Sequence, residues 1–119
     1  MAKKAELLSP RYEAVQVVPG SDVLAGDIAT IDDSYGFYLT DVTSGDTAAL
    51  IVKAEQVKVE KATGAAWNVG DAIYWHTTNL NFVNVATGAV LVGRANQAAL
   101  TADTEGYINF DGFAAFLKL

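Results

Sequence analysis

The chain has 119 residues, 51% of them apolar, with a formal net charge of −6 and no cysteine. That is enough for one domain with a core of its own, and it excludes disulfide scaffolds, thiolate metal sites and cysteine nucleophiles. The eight lysines and arginines are scattered, with only Lys3 and Lys4 adjacent, so nucleic acid is not an expected partner: binding its backbone takes clustered cations.

No apolar run approaches the ~20 residues of a membrane span, so no membrane partner is expected. MAKKAELLSP lacks the apolar stretch that follows the lysines of a signal peptide. Twenty alanines and thirteen valines are interspersed with ten threonines and ten glycines. Small and β-branched residues without a 3.6-residue period point to thin, closely packed strands.

In chain order, residues 1–10 read as a flexible arm. AKKAELL has the composition of one helical turn, which Pro10 stops. Residues 11–119 read as a single β domain. Tyr12–Val18 is a strand closed by Pro19-Gly20, and Asp27–Ile31 is a short strand before the turn Asp32-Asp33-Ser34. Tyr35–Asp41 alternates, Phe37 and Leu39 on one face, Tyr38 and Thr40 on the other.

The stretch 48–61 carries the most information. Leu50, Val52 and Ala54 are apolar at even positions, Val57 and Val59 at odd ones. A regular strand with one buried face cannot change phase, so a bulge or sharp bend is expected at Glu55-Gln56. Lys61–Trp67 is a loop. Asp71–His76 and Phe82–Ala86 form a hairpin around Thr77–Asn81, and Ala89–Ala95 is a further strand. Asn96–Gly106 is a connection with room for one helical turn. Tyr107–Asp111 is a strand, and Phe113–Leu119 a last apolar segment.

Leu24-Ala25-Gly26-Asp27, Thr43-Ser44-Gly45-Asp46 and Asn68-Val69-Gly70-Asp71 share one turn chemistry. Glycine takes positive φ and aspartate accepts from backbone amides. Short strands between polar turns, with no βαβ rhythm, predict an all-β fold, a small antiparallel β-sandwich or incomplete barrel.

No constellation predicts catalysis, a cofactor or a metal. His76 is the only histidine, and no Gly-x-Ser-x-Gly or His-x-x-x-His accompanies it. The aspartates lack the spacing of a calcium loop. A glycosidase needs two carboxylates facing across a cleft, whereas Asp27, Asp46 and Asp71 follow glycine in turns, where capping is the simpler role. In NVGDAIYWH, Ile73 and Trp75 share one face and Tyr74 and His76 the other, so Ile73 and Trp75 are expected inside. A carbohydrate- or partner-binding module built on Trp67, Tyr74 and Trp75 is the alternative function, and a small hydrolase a third.

The run VLAGDIATIDDSYGFYLTDVTSGDTAALIVKAEQVKVEKATGAAWNVGDAIYW resembles a family of small tailed-phage proteins, the capsid decoration or cement proteins. The matching features are Gly26-Asp27-Ile28, Gly36–Asp41, Gly45-Asp46, Gly70-Asp71 through Tyr74-Trp75, and Ala86–Gly93. The resemblance spans roughly residues 14–112. Val59-Glu60-Lys61 departs from a common Leu-Pro-Lys, and the arm and the tail FAAFLKL extend past the usual core. The resemblance implies a β-clip-like homotrimer without catalysis. It would bind the major capsid protein on the outside of an icosahedral head after synthesis in the bacterial host cytoplasm. Lys3, Lys4, Leu7, Leu8, Phe113 and Phe116 are the expected capsid or subunit contacts.

Overall fold

The alternating stretch that dominates the sequence becomes the spine of the molecule. The computed structural model describes residues 4–31 and 34–112. Nine strands occur there: β1 (Ala5–Leu7), β2 (Tyr12–Val17), β3 (Ile28–Ile31), β4 (Ser34–Tyr38), β5 (Ala48–Glu60), β6 (Ala72–His76), β7 (Asn81–Val83), β8 (Ala89–Ala95) and β9 (Glu105–Asp111). Among the described residues there is no helix, and these strands pair antiparallel throughout.

The sheet order is β3-β4-β5-β9-β8-β6-β7, with β1 and β2 also on β5. Strand β5 is long enough to take two partners on each edge. One edge carries β2 opposite residues 48–54 and β1 opposite 57–59. The other carries β4 opposite 50–51 and β9 opposite 53–60. Beyond β9 the sheet curls until β7 meets the end of β5. There Phe82 bridges Lys61 in parallel, and the Ala62 N–H donates to the Phe82 carbonyl at 3.0 Å. The result is an incomplete barrel, the architecture the strand spacing predicts.

The phase change at Glu55-Gln56 is where the sequence places it. Ala54 pairs with Phe110 and Val57 with Ile108, so two residues of β5 oppose Asn109 alone. Partners from outside the ladder satisfy the displaced backbone groups. Asn96 Nδ2 donates to the Glu55 carbonyl at 3.2 Å, the Gln56 N–H donates to Ser9 Oγ at 3.3 Å, and the Leu8 and Ser9 N–H groups donate to the Gln56 carbonyl. A second shift, between Glu13 and Ala14 of β2, leaves Val52 as the extra residue of β5. The sequence pattern does not reveal this one, because both faces of β5 are apolar there. Ile51, Ala54, Val57 and Val59 join the main core, whereas Ala48, Leu50 and Val52 form a second cluster with Tyr38. Ala54 therefore does not share its face with Leu50 and Val52, as a single change of phase would require.

The helical turn expected in the arm does not form. Ala5–Leu7 is a strand, paired Ala5 to Val59 and Leu7 to Val57. Ala5 is 1% exposed. Helix propensity is a weak prior over so few residues, and the free edge of β5 offers those amides partners that a lone turn cannot. The connection 96–106 also lacks a helical turn; Ala99 bridges Trp67 instead.

The Gly-Asp turns reveal an internal repeat. Gly26 and Gly70 have φ of 91° and 92°, the left-handed value of the third residue of a type II turn. The Leu24 N–H donates to Asp27 Oδ2 at 2.9 Å and the Asn68 N–H to Asp71 Oδ2 at 2.8 Å. Gly26 donates to the Tyr38 carbonyl, and Gly70 to that of Ala95. Just before the turns, Val23 bridges Val42 and Trp67 bridges Ala99. Ala29 pairs with Gly36, and Ile73 with Gly93. Residues 23–29 and 36–46 thus have the same pairing pattern as 67–73 and 93–103. The fourth turn of the set, Leu100–Asp103, has Ala102 where glycine stands in the others, yet keeps the Leu100 N–H on Asp103 Oδ2 at 2.8 Å.

Candidate functional site

The residue types that carry chemistry are used in folding. His76 ends β6, where its Nδ1 accepts the Asn79 N–H at 3.0 Å and its carbonyl accepts the Leu80 N–H at 2.9 Å. It caps the loop into β7. Ile73 is fully buried and Trp75 is 6% exposed, as the alternation predicts. Trp75 packs on Phe82 with ring centroids 5.1 Å apart, and burying a ring such as Phe82 contributes about 2–3 kcal/mol. Trp67 is 1% exposed. Neither indole is presented to solvent as a sugar platform requires.

Five aspartates accept backbone amides in turns, and for Asp27 and Asp71 this is the role their place after glycine predicts. Besides Asp27, Asp71 and Asp103, Asp41 Oδ1 accepts the Ala25 N–H and Asp22 Oδ1 the Ser44 N–H. Among the described residues no group of three or more histidines, aspartates or glutamates is arranged to hold a metal ion.

Lys61, which sequence reading leaves in a loop, is 2% exposed. Its Nζ donates to the carbonyls of Ala62 at 3.0 Å and Asp103 at 3.3 Å and lies 5.8 Å from the centre of a Trp67 ring. Paired this way a buried cation is tolerable, and it pins the end of β5 to the turn 100–103.

Of the contact residues expected from the sequence, Lys3, Phe113 and Phe116 lie outside the described residues. Lys4 Nζ is 2.6 Å from Glu60 Oε1, with both side chains about three-quarters buried. Leu7 packs against the main core. Leu8 is 43% exposed, so of the three described candidates it alone offers a substantial free apolar side chain.

The more exposed apolar side chains stand elsewhere, at the ends of the repeat. Leu24, Val69 and Leu100 sit in the Gly-Asp-type turns at 63%, 68% and 73% exposure, and Val18 is 63% exposed. A large aliphatic residue in a turn of otherwise small and polar residues is the signal that marks them in the sequence.

Among the described residues, strands β1 and β2 pair only with β5, and β3 only with β4, so each has an open edge. Beside β3 lies a cleft of about 420 Å³, lined by Lys4, Asp22, Ile28, Ala29, Trp75 and Leu80 among others. It separates the β3–β4 hairpin from the β6–β7 hairpin and is the gap in the barrel.

Among the described residues this arrangement leaves apolar side chains and strand edges exposed. A family model described as phage cement protein matches residues 10–110. No curated protein matches the chain.

Proposed function

The chain belongs to the phage cement protein family, and from that premise we propose that it decorates a tailed-phage head and stabilises it. The family match over residues 10–110 carries the reading. Supporting it, the polar chemistry of the described residues is spent on turns and caps, while apolar side chains and strand edges are left for contact. The partner is the major capsid protein on the outside of the head, reached from the host cytoplasm during assembly. The bound form is a homotrimer. The bent β5 ribbon with its flanking strands is β-clip-like, and Leu8, together with Lys3, Phe113 and Phe116, belongs to the contact surface.

Such a protein works by linkage. Binding only the expanded shell favours that state by RT ln(1 + [L]/Kd), about 2.7 kcal/mol per site when free protein is at 100 times Kd. A trimer bridging several shell subunits multiplies weak contacts through effective concentration.

Two measurements test the reading. Chain cross-linked while bound to heads should run at three times the 12.6 kDa of one chain. Purified heads lacking decoration should retain the chain on sedimentation and release it after Leu8→Asp. Chain that cross-links on heads only as a monomer removes the trimer from the account, and heads that never retain the chain remove the decoration role.

A further inference from the structure

The internal repeat indicates what the gap beside β3 is shaped to hold. In the second half of the repeat, β6 takes the place of β3, and its outer edge is covered by β7, with Tyr74 opposite Val83 and Trp75 opposite Phe82. Phe82 is fully buried and plugs the barrel. In the first half nothing described takes the place of β7. We propose that the outer edge of β3 receives a short antiparallel strand donated by a subunit of the shell, with a bulky apolar residue where Phe82 stands in the repeat.

The backbone of β3 is arranged for this. The Tyr38 N–H donates to the Asp27 carbonyl at 3.0 Å, and along the register from there Thr30–Tyr35 is by alternation a pair in which the two residues do not exchange hydrogen bonds. The Tyr35 N–H accordingly points the other way and donates to the Gly112 carbonyl at 2.9 Å. The N–H and C=O of Thr30, and by alternation those of Ile28, face outward into the gap. Strand addition of this kind draws its affinity from main-chain hydrogen bonds and its selectivity from alternate side-chain pockets.

The cleft also indicates who the donor is. Asp22 and Asp27 line it, while its one described cation, Lys4, is held by Glu60. The fitting strand therefore carries a lysine or arginine beside its apolar residue. A second copy of a chain with net charge −6 is the poorer electrostatic match. Leu80, with φ of 56° and 49% exposure, holds an aliphatic side chain on the opposite rim. Left-handed backbone is uncommon for such a residue, and it is spent here on the wall of the gap.

The inference rests on the capsid-binding reading above, and one experiment separates the two. Hydrogen exchange is followed in the free chain and in the chain retained on purified heads. The Ile28 and Thr30 amides should exchange freely in the first and slow by about tenfold or more in the second, the factor that 1.4 kcal/mol of added stability gives. Thr30→Pro removes the outward N–H at an edge position where proline is tolerated and should weaken retention at least about tenfold. Thr30→Val, which keeps the N–H, should be retained like the original. Retention with the Ile28 and Thr30 amides exchanging as in the free chain overturns the inference and leaves decoration standing, as does undiminished retention of Thr30→Pro. Protection that appears in the free chain as its concentration rises assigns the strand to a second copy and overturns the shell as donor. Heads that retain nothing sink both.

Discussion

Two glycines at equivalent places in the repeat show how tightly the strands approach. A Cβ on Gly93 would stand 2.0 Å from the Asn109 carbonyl oxygen, and one on Gly36 2.7 Å from the Ile51 carbonyl oxygen. Both obstacles are backbone, which relieves strain only by moving a strand. Gly93→Ala and Gly36→Ala should each cost about 1–3 kcal/mol, the range of overpacked cores, with Gly93→Ala the worse. Urea unfolding of the two variants checks the order; equal midpoints with the parent protein would mean that the strands sit farther apart than described. These glycines are readable in the sequence only as interruptions of strand patterns. Their reason, a neighbouring carbonyl, belongs to residues far along the chain.

At the scale of the element, β5 carries the argument. Its alternation and its change of phase at Glu55-Gln56 are legible because side-chain period is a local property. The second shift, around Val52, is hidden because two clusters claim the two faces of the same strand. Deleting Gln56 makes β5 regular opposite β9 and keeps Ala54 and Val57 on one side. It also removes the bend and the carbonyl that accepts the Leu8 and Ser9 N–H groups. The deletion should cost about 1–3 kcal/mol for the hydrogen-bonded groups it strands, and the amides of Leu8 and Ser9 should exchange at free rates. Unchanged protection there would show that β1 is held by something other than the bulge.

For the whole molecule, the burial of Trp67 and Trp75 separates decoration from carbohydrate binding. Tryptophan emission should stay blue-shifted and indifferent to a panel of glycans. Added protein should instead raise the melting temperature of undecorated heads in proportion to the logarithm of its concentration above Kd, the signature of linkage. Quenching by one glycan, with no effect on heads, would favour the ligand-binding reading. The same scale explains why residues 5–7 do not behave as a free arm. Ala5 and Leu7 are drawn to the open edge of β5, while the exposed aliphatic residues gather at the turns.

The local properties of the chain were determined by the sequence alone: strands from alternation, Gly-Asp turns from positive φ and short acceptors, the bulge from a change of phase, Ile73 and Trp75 inside from parity. Each follows from neighbours a few residues apart, where period and turn chemistry act. Tertiary structure alone decided which strands pair, that residues 5–7 join β5, that two hairpins repeat one pattern, and that the edge of β3 stays open in one of them. Pairing choices depend on loop closure and on competition for edges between distant segments. The repeat was obscured by the loop and strand 77–88 inserted in its second half and by Ala102 in a glycine's place.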